Sequence, residues 1–200
     1  MSTAIRDVSD TLIQLLRTEV GPLLPDPDLI ALLSPAEANS IGVRLTLFLY
    51  SISQAAECRN EHEIIGASNH NDPISMPVNL FYLLTAFSPP QDPTNRSLDS
   101  HLLLGRAMRV FFDNGTLHGS MLKGDLPRDE PLHVSLQPIT VEDLTRVWSV
   151  FPETALQASV SYLVTPVRLR AGRIREGAPV VSRQTDADHV VPVPSPDKQP

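Results

Sequence analysis

Six histidines, one cysteine and a few short acid–histidine strings are the residues with obvious chemical potential in this 200-residue sequence. Among His62, His70, His101, His118, His133 and His189, no two stand four apart, the spacing that sets two metal ligands on one helix face, and no HExxH occurs. Glu61-His62-Glu63 and His70-Asn71-Asp72 hold ligand types. Neighbouring residues of an extended chain point to opposite faces, however, and both strings lie in a polar, Asn- and His-rich stretch that reads as a solvated loop. Asp99-Ser100-His101 contains the residue types of a serine relay. Consecutive helical residues radiate in different directions, and no GxSxG elbow exists to present a nucleophile. Cys58 is the sole thiol, so an internal disulfide and a multi-thiolate zinc site are both excluded; it reads as a small, half-buried side chain. No glycine pattern for cradling phosphate is present. No catalytic, metal-binding or cofactor-binding residue is therefore assigned, and no cofactor is expected.

The other unusual group is basic. Arg168-Leu-Arg-Ala-Gly-Arg-Ile-Arg175 reads as a β-hairpin turning at Ala171-Gly172, with Arg168 and Arg170 sharing one face of the first arm and Arg173 and Arg175 one face of the second. Two readings stand side by side. The charges keep a strand edge from pairing at random, or they form an arm that docks on an acidic neighbour. Charge distribution supports the second: residues 1–100 carry a net charge of −7 and residues 101–200 a net charge of zero. An acidic body and a basic arm suit head-to-tail association. Arg168, Arg170, Arg173 and Arg175 are accordingly the candidate residues for a contact between subunits or with a sheath. Of the 16 basic residues only Lys123 and Lys198 are Lys, a bias that fits planar interface contacts but that a GC-rich coding sequence explains equally well.

The elements that position these residues follow from periodicity. Ile5, Val8, Leu12, Leu15 and Leu16 form the apolar stripe of a first helix, with Ser2 or Thr3 as cap and Gly21-Pro22 as stop. Val43–Ile52 and Val78–Phe87 are nearly continuous apolar runs and read as central strands covered on both faces, with Leu29–Leu33 as an edge strand. A second helix is expected over about Leu98–Asp113, with Leu103, Leu104, Ala107, Met108, Phe111 and Phe112 buried. Leu132–Gln137 alternates as a strand. Thr140-Val-Glu-Asp143 caps a third helix whose buried positions would be Val141, Leu144, Val147, Trp148 and Phe151, and Leu156–Arg170 follows as a strand. This order is irregular, so the class is α+β: a mixed, mainly antiparallel sheet with about three packed helices and a C-terminal β-hairpin arm. Residues 1–182 are expected to form one domain. Five prolines within residues 179–200 mark residues 183–200 as a Pro-rich flexible tail.

A net charge of −7 argues against nucleic acid or an anionic membrane as partner. Arg6, Asp7 and Asp10 interrupt any signal-peptide core and no apolar run could span a bilayer, so synthesis in the cytoplasm is expected. Without a secretory signal, the sequons at Asn95 and Asn114 read as turns.

Five stretches in order extend this reading. They are Ile5-Arg-Asp-Val-Ser-Asp-Thr-Leu12; Leu47-Phe-Leu-Tyr50 with Arg59-Asn60; Leu80-Phe-Tyr-Leu-Leu-Thr-Ala-Phe87; His101-Leu-Leu-Leu-Gly-Arg-Ala-Met108; and Val134-Ser-Leu-Gln-Pro-Ile139 with Leu144 and Trp148. Together with Ser161-Tyr162 they resemble the tail-terminator (cap) proteins of extracellular, phage-tail-like contractile injection systems, over roughly residues 4–170. The resemblance implies a non-enzymatic subunit whose partners are itself, in a hexameric ring, and the sheath and inner-tube proteins. That ring would close the distal end of tube and sheath and stop their polymerisation. It would be assembled in the cytoplasm into a particle released from the cell. Longer relatives carry an additional C-terminal domain, whose role is not expected from the Pro-rich tail here. Sheath rings are joined by donated strands, so the Leu156–Val181 strand and hairpin is the expected point of strand addition. A neck or baseplate adaptor, or a small hydrolase using His62 or His101, are the alternatives.

Overall fold

A computed structural model of the chain describes residues 3–58, 75–88, 96–151 and 153–170. Helix α1 (Ala4–Glu19) buries Val8, Leu12, Ile13 and Leu16 along the expected stripe. Thr3 occupies its N-cap position without capping through its side chain; instead its hydroxyl donates to the Asp7 carboxylate at 2.6 Å. Asp7 is buried, and it also accepts the backbone N–H of Asp125 at 3.1 Å, while Thr11 Oγ1 accepts that of Lys123 at 3.0 Å. These bonds fasten the 123–125 turn onto α1. Gly124 lies at φ +62°, and a Cβ there would run into the Asp7 carboxylate, so this close approach requires glycine.

Among the described residues the sheet has six strands: β1 (Ile30–Ala31), β2 (Leu45–Gln54), β3 (Ser75–Ala86), β4 (Thr116–Leu117), β5 (Leu132–Gln137) and β6 (Ser159–Arg170), in the order β1-β2-β3-β6-β5-β4. Only β1 and β2 pair in parallel; every other neighbour is antiparallel. The class read from the sequence is therefore correct, and β5 has the expected bounds. Between β1 and β2 lies a helix the periodicity reading passed over, α2 (Pro35–Ile41). It starts with a full capping box: Ser34 Oγ accepts from Glu37 N–H, and the Glu37 carboxylate accepts from Ser34 N–H at 2.9 Å. Bonds from the Ser34 hydroxyl and then its backbone hold the Glu37 carboxyl below its ordinary pKa.

Helices α1 and α3 (Arg96–Asp113) cover one face of the sheet. Leu12, Leu16, Leu80, Tyr82, Leu84, Phe111, Tyr162 and Val164 form one continuous core there. Tyr82 is fully buried with its hydroxyl 2.7 Å from Ser9 Oγ, and burial pushes its phenol up to about 12. On the opposite face, α4 (Val141–Trp148) and the residues after it cover one end: Phe151 meets Phe48 edge-on at 5.8 Å and Trp148 at 6.2 Å. Thr140 caps α4 through Asp143 N–H as its sequence predicts.

Three burial expectations need correction. β3 is covered on both faces over most of its length, but β2 only at its start; Ser51–Gln54 are exposed, because neither α4 nor the α1/α3 layer reaches them. In α4 only Trp148 is buried and Val141 is 78% exposed, since a two-turn helix lies on the sheet through one end alone. Phe112, expected in the buried arc of α3, is 85% exposed because the core is met by Phe111, 100° away around the helix. The turn at Ala171-Gly172, the domain boundary at 182 and the Pro-rich tail lie outside the described residues.

Candidate assembly surface

The residues that could support chemistry are not gathered. Asp99 and Ser100 lie in the first turns of α3, where Ser100 Oγ donates to the Ser97 carbonyl at 3.0 Å, and His101 is exposed. His133 Nδ1 is 3.3 Å from Thr116 Oγ1 on the surface. His62, His70 and His189 lie outside the described residues, as does the Cys58 side chain. Among the described residues, no three His, Cys, Asp or Glu side chains come together as a metal-holding group, and no helix is long and apolar enough to cross a membrane.

The basic candidates divide. Arg168 and Arg170 fall on the last turn of the ladder between β6 and β3, opposite Pro77 and Ser75. Arg168 is tied down, with Nε 2.8 Å from Glu130 Oε2 and its side chain only 18% exposed. Arg170 is exposed. Arg173 and Arg175 lie outside the described residues. The strand that carries Arg168 and Arg170 is central rather than marginal: β6 pairs with β3 along its length and with β5 over Ser161–Thr165. Both edges of that stretch are occupied, so strand addition over the whole of Leu156–Val181 is excluded, and only Ser159–Val160 and the part beyond Thr165 have an open side among the described residues.

Open edges lie elsewhere. β1 pairs with β2 only at Leu45 and Thr46, and no described strand covers the outer edge of β2 from Phe48 to Ser53. At the other end of the sheet, β4 pairs with β5 only at Leu132 and His133, while Val134 N–H reaches the Gly115 carbonyl at 2.9 Å. The two-residue period of a strand then aims the N–H and carbonyl of Leu136 outward as well, with no described partner. Beside that edge, on the helix face, is a groove of about 540 Å³ lined by Met108, Phe111, Phe112, Val134, Leu136 and Tyr162. Phe111 meets Tyr162 edge-on at 4.8 Å across its floor, and burial raises the Tyr162 phenol above its ordinary pKa. Leu136 at 53% and Phe112 at 85% exposure stand at its mouth. Sequence reading missed these edges because β1 and β4 are too short to show a pattern. The exposed Phe112 was the one visible signal, and it was absorbed into the helix arc.

Residues 7–183 match the family described as the Pvc16 N-terminal domain. The chain belongs to the Pvc16 N-terminal domain family. No curated protein sequence matches the chain at a significant level. Among solved structures, it is similar to the PVC sheath/tube terminator of an extracellular contractile injection system in its extended state. The TM-score is 0.61 at 17% identity, covering 94% of this chain and 64% of that one. It is also similar to the tube-terminating cap of the anti-feeding prophage, with a TM-score of 0.59 at 16% identity, covering 90% of this chain and 60% of that one. The chain thus spans less than two thirds of the length of either protein. At these identities the likeness establishes the shared fold, and with the family match it bears out the terminator-family resemblance carried by the five sequence stretches.

Proposed function

We propose that the chain is a structural terminator of a contractile injection particle: a ring, of six copies, that closes the distal end of the inner tube and sheath and stops further subunits from adding. The observation that carries this reading is the fold shared with a sheath/tube terminator over 94% of the chain, in a member of the Pvc16 N-terminal domain family. Its task is physical. The last ring of a polymer presents unsatisfied strand edges and apolar surface, and a cap covers them without exposing an equivalent end of its own. A body that keeps open edges and exposed apolar side chains fits a subunit completed by neighbours rather than a reaction centre. In this reading Arg170, Arg173 and Arg175 form the basic contact to an acidic neighbour, with Arg168 reserved to Glu130. The ring assembles in the cytoplasm with sheath and tube proteins as partners, and nucleic acid and membrane take no part.

The test is reconstitution. Purified chain is weighed by mass photometry and added in substoichiometric amounts to polymerising tube and sheath subunits. A hexamer and shorter polymers with blunt, capped ends are expected. A strict monomer that leaves polymer length unchanged overturns the proposal.

A further inference from the structure

Helix α3 carries a patterned face on the side away from the core. Leu98, Leu102, Gly105, Arg109 and Phe112 follow one another in alternating steps of four and three, the spacing by which a helix presents one seam to a partner. At 100° per residue this stripe is centred half a turn from Leu103, Ala107 and Phe111, which are buried. Leu98 is 66% and Leu102 61% exposed, and Phe112 stands out with them. A Cβ on Gly105 would meet nothing within 4 Å, so the middle of the stripe is low and open. Arg109 lies along the helix, bonded to Asp113. Arg106 flanks the stripe, exposed and with no ion-pair partner among the described residues.

The far side of the sheet has the converse feature, an apolar strip with no helix on it. There Leu83 and Thr85 of β3 and Ser161 of β6 are buried at the end that α4 and the residues after it cover. The next side chains on the same face, Phe81 and Leu163, are only half-buried. Ser51 and Ser135, at the two ends of their row, are exposed. One step further on, Ser53 stands opposite Asn79, whose Oδ1 accepts from Thr165 at 2.6 Å, and Thr165 stands opposite His133. These rows form a shallow seat, two large apolar side chains rimmed by small polar ones, and no described element covers it. Glu142, in the first turn of α4 just after β5, is exposed and has no ion-pair partner among the described residues.

From this we infer that a second copy of the chain lays the outward stripe of its α3 across this seat, so that helix and sheet layers alternate from one copy to the next. A sheet face and a helix stripe are each completed by an element packed on them, and here each lacks one. This inference rests on the self-association in the terminator reading and names its surface. Length fits: Leu98 to Phe112 is about 21 Å of helix, and the row from β2 to β5 is about 14 Å across. Relief fits too. Phe81 and Leu163 stand at the centre of the row, where Gly105 leaves the stripe low, and Leu98 and Phe112 fall over the serines at its ends. Charge fits, because the stripe is flanked by Arg106 and the seat by Glu142. Both surfaces belong to every copy and lie on opposite sides of its sheet. The contact is therefore head-to-tail, and it leaves no stripe and no seat unused only when the ring closes.

The test uses the full chain with Cys58→Ser, Leu102→Cys and Ser135→Cys, the last two at exposed positions of the stripe and the seat. The linker is a bismaleimide with a reach of about 10 Å, one helix width. Within one copy α3 and the sheet lie between the two positions, so a link joins two copies. Crosslinking is expected to give a ladder of linked species ending at the ring size measured beforehand. Either single-cysteine protein should give no ladder, and a mixture of the two only a linked dimer. Native-size oligomers that never link these positions overturn the docking but leave the ring. If the Ser135→Cys thiol is shielded in such oligomers, another segment or partner fills the seat, and the docking falls equally. A chain that stays monomeric at every concentration overturns both. Leu102→Glu supplies an independent arm: a folded variant is expected to assemble at least tenfold more weakly, and parental assembly would overturn the docking.

Discussion

Tyr82 offers a quantitative check on how α1 sits on the sheet. Its hydroxyl lies 2.7 Å from Ser9 Oγ, and the single Ser9 proton is committed to the Ile5 carbonyl at 3.0 Å. Tyr82 is therefore the donor. Tyr82→Phe removes that donation while leaving Ser9 satisfied, so at pH 8 it should cost only about 0.5–1.5 kcal/mol. Alkaline pH changes the comparison. An unfolded tyrosine loses its proton near pH 10, whereas burial holds the folded Tyr82 phenol up to about 12. Between these values the unfolded chain binds fewer protons than the folded one, so the parent loses stability as pH rises. That loss reaches about 1.4 kcal/mol by pH 11, one pKa unit's worth. The Phe variant escapes it, and Tyr162 titrates alike in both proteins. Urea unfolding followed through the fluorescence of the single, buried Trp148 measures both. The variant should be about 1 kcal/mol less stable than the parent at pH 8 and about equal to it at pH 11. A deficit of the same size at both pH values would refute a Tyr82 shielded beneath α1.

Other expectations are equally direct. Gly124→Ala should lower stability by about 1–3 kcal/mol in a urea titration, from positive φ and collision with Asp7. Combined with Asp7→Ala it should cost less than the sum of the two, and strict additivity would mean the turn and α1 do not touch. Replacing Arg170, Arg173 and Arg175 by Glu while keeping Arg168 should reduce ring and particle yield at unchanged melting temperature. Unchanged yield at matched expression counts against the basic arm. Arg168 is spared because Arg168→Glu would set a second carboxylate against Glu130. Val141→Ser should change stability by no more than about 0.5 kcal/mol, since this side chain is 78% exposed. A loss above about 1.5 kcal/mol would restore the buried helix face that periodicity predicted.

What the sequence made legible was local. Alternation located β5, the i, i+3, i+4 stripe located α1, and Thr140 announced the start of α4. The Ser34-Pro-Ala-Glu37 signature of α2 was equally visible, but a helix of seven residues has no stripe to confirm it. The rest depended on distant partners. Periodicity shows that Val141 and Phe112 could face a core, not that a core is there to meet them. The bond between Asp7 and Asp125 joins residues 118 apart in sequence. The placement of β6 between β3 and β5 decided which edges stay open, and no composition or spacing encodes strand order. Hence the Leu156–Val181 segment was read as the point of strand addition although β3 and β5 occupy both edges of Ser161–Thr165, while the edges at β2 and β5 emerged only from pairing.

The central claim is position at the end of a particle. Purified particles carrying a tagged copy of this chain can be imaged by electron microscopy with the tag labelled. The account predicts label at the end of each extended particle away from the baseplate, as one ring per particle. Label at the baseplate, or distributed along the shaft, would contradict it.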